Sequence, residues 1–511
     1  MKRVGHRFLL AAIILLTLNS VVCMAQQDDK ILHLAKSKGK VYELLEMLTN
    51  KTGKMFIYDS DVIDNDKKAR IDAGDYTLGQ AVETIIGEKG LELKEIGDHI
   101  LINKPAYKKK ESVAVVKAYA GCAVLEGNVI ELTTHKPLGY VSVCIKGSSI
   151  GSIANDDGYF RLVVPDSLNG RNVVFSHIGF RTQEVSAEAL RQQKFTISMQ
   201  EQITTLQENV VRLTNPTMLL IEMQKNLKRN YSHVPYRETA FYREGVENND
   251  RFVKLSEGVF NIYKPPYTSA ETEQVKLLKK RNFFLKNTRD SIVAKMKAGI
   301  EACMMLDLIK SSPDFLRLPN NDYNYFSTGI TTIDDRTANT IYFEQKHHIQ
   351  DPLYSGELFV DADNHALLGA RFEINPQYVE TATDMIVERK GKGISITPQK
   401  ISYSLSYRQI GSRYYISYVR GDLNFKIKKR HRIFATSRTH LWFEMATCSI
   451  DTIDVAKYDR KELISKTSIF DDTQYAYDAD FWGNLNIIPM ENDVSESIRK
   501  IAIKVEEMLG E

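Results

Sequence analysis

The chain has 511 residues, with 68 Lys and Arg against 65 Asp and Glu and a formal net charge of +3. A charge balance this even gives no electrostatic reason to bind a nucleic-acid backbone. After the N-terminal segment, no run approaches the ~20 apolar residues that a membrane helix needs.

Residues 1–25 read as a secretory signal peptide: a basic Met1-Lys2-Arg3 start, an apolar core from Phe8 to Leu18, and a small-x-small exit at Cys23-Met24-Ala25. Val22 stands where a lipid-anchored cysteine would want a small neighbour, so cleavage after Ala25 and a periplasmic location are expected. Cys122, Cys144, Cys303 and Cys448 remain, and their spacing fits no zinc motif. In an oxidising compartment they are either paired, in one of about three connectivities, or buried as free thiols; both readings stand.

Residues 31–104 form the first expected domain. Val41, Leu44, Leu45 and Leu48 recur at one helix face, and Gly53 ends that helix. Thr77 and Gln80 make a capping box for a second helix whose inner face is Leu78, Ala81, Val82 and Ile85, with Gly90 after its end. Strands fill the rest, giving βαββαββ, a small two-layer domain. The stretches LTNKTGKMFIYDSDVI and DYTLGQAVETIIGEKGLELKEIGDHILI resemble the secretin and TonB short N-terminal domain. That resemblance implies a periplasmic docking module whose partner is a TonB-system component or an anti-sigma-type regulator. Residues 105–122, with Lys108 to Lys110, read as a solvated linker.

Residues 123–200 give about seven short strands between turns, the signature of an all-β sandwich. Here GSSIG, Gly147 to Gly151, matches the G-x-S-x-G pattern of hydrolases. A nucleophile elbow needs a helix after the serine. Ser149 is followed instead by Asn155-Asp156-Asp157-Gly158 and another strand, so a glycine-rich turn is expected. Gly127-x-Val129, Pro137-Leu138, Val141-x-Val143, Asp156-Asp157-Gly158-x-Phe160 and Ser176-His177-Ile178-Gly179-Phe180 resemble the carboxypeptidase regulatory-like, prealbumin-like domain. The resemblance implies a sandwich without chemistry of its own. None of the 11 histidines is followed three residues later by Glu, as a zinc carboxypeptidase would require. Residues 201–215 read as a linker in which Leu206 to Leu213 sits where receptors place a TonB-box-like segment.

Residues 216–511 read as a large, mainly antiparallel β domain with packed helices. Asn215-Pro216 starts a helix with Leu220, Met223 and Leu227 buried, eight alternating strands follow between 238 and 445, and residues 290–312 read as helical. Asp361, Asp363 and Asn364 lack the Gly and Glu spacing of a calcium loop. His347 and His348, read as strand neighbours, would point to opposite faces and share no metal. GELFVDADNHALLGARFEI resembles a hairpin of periplasmic lipoprotein-carrier half-barrels, which implies an acyl-holding apolar face. Ile498, Ile501, Ala502, Val505, Met508 and Leu509 are spaced as a terminal amphipathic helix, and no transmembrane barrel of its own is expected.

The sequence thus describes a multidomain α+β chain with no catalytic, cofactor or metal residues to nominate. The first expectation is a non-enzymatic periplasmic interaction protein associated with the outer membrane and docking an envelope partner. The alternatives are a carrier holding a lipid-like, apolar ligand on the C-terminal sheet, and a hydrolase with an unrecognised site.

Overall fold

The computed structural model describes residues 31–58, 63, 67–96, 99–103, 121–191, 195–202, 215–249, 251–284, 295–296, 299–389, 393–429, 436–466, 482–492 and 494–495. The signal peptide, the 206–213 segment and the terminal helix expected from the sequence lie outside them. The chain divides into two compact units, Met1–Lys109 and Lys110–Glu511.

The first unit runs β1 (Leu32–Leu34), β2 (Ser37–Lys40), α1 (Val41–Thr52), β3 (Met55–Tyr58), β4 (Lys68–Ile71), β5 (Gly74–Tyr76), α2 (Leu78–Ile86), β6 (Glu92–Ile96) and β7 (His99–Asn103). Two of the expected strands are each split in two, so β1 pairs β5, β2 pairs β4, and β3-β7-β6 form a third sheet. Val41, Leu44, Leu45 and Leu48 of α1 pack with Ala81, Val82 and Ile85 of α2 in one core. The Thr77–Gln80 capping box is formed, with Gln80 N donating to Thr77 Oγ1 at 3.3 Å and Thr77 N to Gln80 Oε1 at 3.0 Å. Gly87, at φ 78°, closes α2 three residues before the glycine expected to follow its end.

The second unit opens with β8 (Cys122–Glu131), β9 (Ser142–Ile145), β10 (Gly151–Ile153), β11 (Tyr159–Pro165), β12 (Asn172–Ser176), β13 (Gln183–Ser186), α3 (Ala187–Leu190) and β14 (Phe195–Met199). They form two sheets, β10-β9-β12-β13 and β11-β8-β14, with Phe160 and Phe175 edge to face between them at 5.1 Å.

The chain continues through α4 (Pro216–Lys225), α5 (Leu227–Asn230), β15 (Tyr236–Asn248), β16 (Arg251–Lys264), β17 (Gln274–Phe284), β18 (Lys295–Met296), α6 (Gly299–Met305) and α7 (Leu308–Ser311). It ends in β19 (Tyr323–Ile333), β20 (Arg336–Gln345), β21 (Tyr354–Asp361), β22 (Leu367–Ile374), α8 (Thr383–Ile386), β23 (Val387–Arg389), β24 (Ile394–Ile410), β25 (Arg413–Lys429) and β26 (Thr436–Asp451). Ten of these strands make one antiparallel sheet in the order β17-β16-β15-β26-β25-β24-β22-β21-β20-β19. Its two edge strands, β17 and β19, are the two that alternation does not pick out. Lys276, Lys279 and Lys280 on β17, and Ser327-Thr328-Gly329 on β19, are the charged and polar content by which edges resist pairing with other chains.

One face of the sheet is apolar and covered by helices. Leu220 and Met223 of α4, Ile300, Cys303 and Met304 of α6, and Leu308 of α7 share a core with Val419, Leu423 and Phe425 of the sheet. Asn215 caps α4 by accepting from Thr217 N at 3.0 Å and Met218 N at 3.4 Å. The single helix read over 290–312 is corrected: its described part is β18 and two short helices. The chain breaks at Asp307, whose carboxylate turns into the core to accept from Tyr407 OH at 2.8 Å and Lys264 Nζ at 3.5 Å. A buried carboxylate must be paired, and that requirement outweighs helix continuity.

The opposite face is charged. One register row crosses all ten strands as Arg281, Glu257, Arg243, Glu444, Arg420, Ser404, Arg371, Glu357, Tyr342 and Phe326. Its first five members alternate in sign. Arg281 Nε meets Glu257 Oε2 at 2.6 Å, Arg243 Nε donates to Glu444 Oε1 at 2.8 Å, and Arg420 Nη1 lies 3.6 Å from Glu444 Oε2. Arg243, Glu257 and Glu444 are fully buried. A strap, residues 482–492, covers this part of the row: Arg243 donates to Pro489 O at 3.1 Å and to Glu491 Oε1 at 2.8 Å, and Arg281 lies 4.8 Å over the Trp482 ring. The strap also binds the sandwich, through Ser152 Oγ to Ile487 O at 2.8 Å, Arg161 Nη2 to Gly483 O at 2.6 Å and Asn155 Nδ2 to Met490 O at 3.0 Å.

Two outcomes follow from this face. Arg243→Met leaves Glu257 and Glu444 buried without their cation and should lower unfolding free energy by about 3–5 kcal/mol in urea titrations; a change under ~1 kcal/mol would show the row to be incidental. Beside it, His440 contacts Asp422 at 3.1 Å and Glu247 at 3.6 Å. Burial alone would lower its pKa, but these two carboxylates outweigh burial and raise it to about 9. A folded pKa above the unfolded value of about 6.5 means the stabilisation is complete below that pH and lost as pH rises through the folded value. The stability difference between the wild type and His440→Gln should therefore be largest near pH ~6 and shrink by pH ~10.

Candidate functional site

The turn between β9 and β10 is Lys146 to Ile150, the heart of the GSSIG stretch. Gly147 takes φ 67°, and Ser148 Oγ donates to Ile145 O at 3.0 Å and accepts from Ile150 N at 3.1 Å. This is a hairpin turn leading into a strand. Ser149 offers its carbonyl, which accepts from Arg408 Nη2 of β24 at 2.8 Å. Arg408 Nη1 donates to Cys144 Sγ on the neighbouring strand. The guanidinium reaches both by crossing Gly151, where an added Cβ would meet Arg408 itself and stand 2.7 Å from Cys144 Sγ. The glycine is there to let an arginine of the large sheet pass.

Between the sandwich and the charged face of the sheet lies a partly enclosed cavity of about 300 Å³. Its roof is Tyr140, Ser142, Ser176, His177 and Ile178 of the sandwich. Its floor is Arg371, Ser404, Ser406, Arg408, Ser417 and Tyr418, and Ile333 and Asp334 of the β19–β20 turn close one side. Tyr140 is held at φ 61°, an uncommon conformation for an aromatic residue, by its N–H donating to Ala154 O at 3.0 Å. Its ring thereby stacks on Tyr418 at 5.9 Å and covers the Arg420 guanidinium at 5.0 Å. On the other side the Ser176-His177-Ile178-Gly179-Phe180 loop is pinned to the β19–β20 turn, with Gly179 N donating to Thr332 O at 3.0 Å and Thr182 N to Asp335 Oδ1 at 3.3 Å.

Burial, and then the nearby Arg371, pushes the His177 pKa down to about 4, so the imidazole is neutral near pH ~7. Burial also raises Asp334 above the usual carboxylate range and lowers Arg371 from the usual guanidinium value. Both residues are exposed, and both line the cavity. Aromatic rings and Ile178, Ile333 and Leu405 make the remaining wall apolar.

The residues weighed from sequence fall elsewhere. Asp361 is buried in the β21–β22 turn, accepting from Arg336 Nη2 at 2.9 Å, Asp363 N at 2.9 Å and Asn364 N at 3.1 Å. His347 and His348 lie in an exposed turn just beyond β20, which corrects the reading of them as strand residues. Cys144, Cys303 and Cys448 are buried free thiols, burial pushes Cys448 up to about 12, and Cys122 is half-buried at the start of β8. The apolar, helix-covered face expected to hold a ligand is occupied by the chain's own side chains, with Phe315 stacked on Phe343 at 4.5 Å and both buried. Sequence reasoning missed the cavity-lining Arg371, Ser404 and Arg408. Their only signal is position: all three face one side of β22 and β24, the side where polar residues alternate with core residues.

Comparisons with known proteins are consistent with part of this reading. The family model described as the CarboxypepD_reg-like domain matches residues 125–211, the sandwich and its exit. No curated protein matches the chain. Among solved structures, a DUF1329 family protein from Desulfovibrio piger is 10% identical, covers 49% of this chain and 100% of its own, and has a TM-score of 0.21. A putative outer membrane lipoprotein-sorting protein domain from Vibrio parahaemolyticus is 8% identical over 47% of this chain and 93% of its own, with a TM-score of 0.20. A LolA superfamily protein from Nitrosomonas europaea is 9% identical over 49% of this chain and 97% of its own, with a TM-score of 0.17. Among the described residues no helix is long and apolar enough to cross a membrane.

The crossing of Arg408 over Gly151 is testable by a double-mutant cycle. Gly151→Ala should destabilise the second unit by about 1–3 kcal/mol through overpacking. In an Arg408→Ala background that loss should shrink by at least ~0.5 kcal/mol. Strict additivity would show that the two residues do not meet.

Proposed function

We propose that the protein is a non-enzymatic periplasmic binding protein of carrier type, which holds a small lipid-like molecule in the cavity between sandwich and sheet. The observation that carries this reading is the cavity itself. Its volume of about 300 Å³ is at the lower end of the range for small-molecule sites, ~300–1,000 Å³. Its wall mixes apolar and aromatic surface with a few convergent polar groups, the composition such sites have. The carrier reading keeps its class and changes its place. The helix-covered face is filled, and the space lies on the charged face, under a roof supplied by the regulatory-like sandwich.

The first unit serves this reading as a docking module. It is a separate compact body with its own core, and its resemblance to the secretin and TonB short N-terminal domain suggests an envelope protein, from the TonB system or an anti-sigma-type regulator, as its partner. The hydrolase reading ranks last, because Ser149 contributes its carbonyl to a structural arginine.

Ser406 and Ile178 line the cavity from floor and roof. Wild-type protein purified from envelopes and extracted into organic solvent should release a lipid-like species detectable by mass spectrometry. The cavity-filling variants Ser406→Phe and Ile178→Trp should release several-fold less at unchanged unfolding temperature. Equal yields from filled and unfilled proteins would sink the proposal.

A further inference from the structure

Resting on that cavity as the binding site, we infer that the ligand carries an anionic head, a carboxylate or a phosphate, seated between Arg371 and Arg408. The argument begins with the register row on the charged face. From Arg281 to Arg420 every cation has an acid on the next strand. At β24 the alternation calls for an acid, and Ser404 stands there, between Arg420 on β25 and Arg371 on β22.

Arg420 does not miss the absent acid, since it is held bidentately by Asp422 at 2.8 and 2.9 Å. Arg371 does. Its register partner on β21 is an acid, Glu357, but among the described residues no carboxylate lies within 4 Å of its guanidinium, which sits 5.9 Å over the Phe359 ring. Arg408 lies on the same face of β24, two alternations beyond Ser404. Its partners are neutral, the Ser149 carbonyl and the Cys144 sulfur, and its Nε is buried without a hydrogen bond. Arg371 thus flanks the cavity next to Ser404 without a carboxylate in ion-pair reach, and Arg408, on the same wall, lies in the field of Asp334.

The remaining charged or titratable groups on the wall do not cancel them. His177 is neutral near pH ~7. Asp334 bonds Ser176 and acts on Arg408, which leaves one acid on the wall against two cations. A planar guanidinium fork matches a carboxylate or phosphate through paired N–H donors. Arg371 is exposed and has no carboxylate within ion-pair reach, so its donors are open to such a ligand. The small side chain at Ser404 leaves the space that an acidic side chain would otherwise fill.

The test uses the full exported chain and four probes of equal chain length: dodecanoate, dodecyl phosphate, dodecanol and dodecyltrimethylammonium, with affinities from calorimetric titration. One or both anionic probes should bind at least about tenfold tighter than the neutral and cationic ones, a fold-change appropriate to charged hydrogen bonds. Arg371→Gln should remove most of that preference while leaving dodecanol binding within about twofold, and Arg371→Lys should restore part of it. Stronger binding of dodecanoate would mark a fatty-acid-like carboxylate as the head, and stronger binding of dodecyl phosphate a phosphorylated one; either upholds the inference. If all four probes bind alike and Arg371→Gln changes none, the anionic head is overturned while the cavity reading stands. If no probe binds, both fall.

Discussion

A buried guanidinium can exist only where carboxylates are brought to it, and Arg243 sets that demand for the second unit. Its partners come from separate stretches of chain: Glu257 on β16, Glu444 on β26, and Glu491 on the strap. Burial works against the charged form, and the three acids outweigh it and hold the group protonated. An ion cluster of this kind adds little net stability compared with an apolar core of equal volume. What it does add is specificity. The strap has to lie where Glu491 and the Pro489 carbonyl reach Arg243, and no slipped register of β15, β16 and β26 brings the acids opposite the cation.

The position of the sandwich follows from that of the strap. Ser152, Asn155 and Arg161 bind strap carbonyls, and Val163 N donates to Asn486 Oδ1 at 2.7 Å. Ile153 of β10 enters the same core as Trp482, Ile488, Phe241 and Cys448. The serine that resembles a nucleophile is thereby brought over β24, where its carbonyl is an acceptor for Arg408. The G-x-S-x-G spacing arises from two structural needs: a left-handed turn residue at Gly147 and a missing side chain at Gly151.

Much of this architecture was legible because it is local. The caps at Thr77 and Asn215 and the stripe Val41, Leu44, Leu45, Leu48 are each written within a turn or two of helix. The central strands were legible because one face is core and the other is polar, so period two shows directly. Three features were not. The edge strands β17 and β19 lack the pattern because apolar residues also stand on their exposed side: Leu278 on β17, and Phe326 and Ile330 on β19. The break at Asp307 depends on Lys264 and Tyr407, both distant in sequence. The cavity is assembled from the β8–β9 loop, the β12–β13 loop, the β19–β20 turn and strands β22, β24 and β25, and none of these carries a motif that names the others.

A cavity between two packed sheets calls for a reason not to collapse, since close packing is the default state of protein interiors. The reason here is that the roof is fixed at two separated points. On one side the strap and Tyr140 hold the sandwich against Arg420 and Tyr418. On the other, Gly179 and Thr182 anchor its β12–β13 loop to Thr332 and Asp335. Between these anchors, small serines on floor and roof keep the surfaces apart, because closing the gap would bury Arg371 with no carboxylate in ion-pair reach. The same electrostatic rule that packs the Arg243 end of the row tightly therefore holds the Arg371 end open. Where the row brings its acids within ion-pair reach of each cation, the sheet is sealed by the strap; where it supplies Ser404 and leaves Glu357 out of ion-pair reach of Arg371, the face stays available to something that brings a charge.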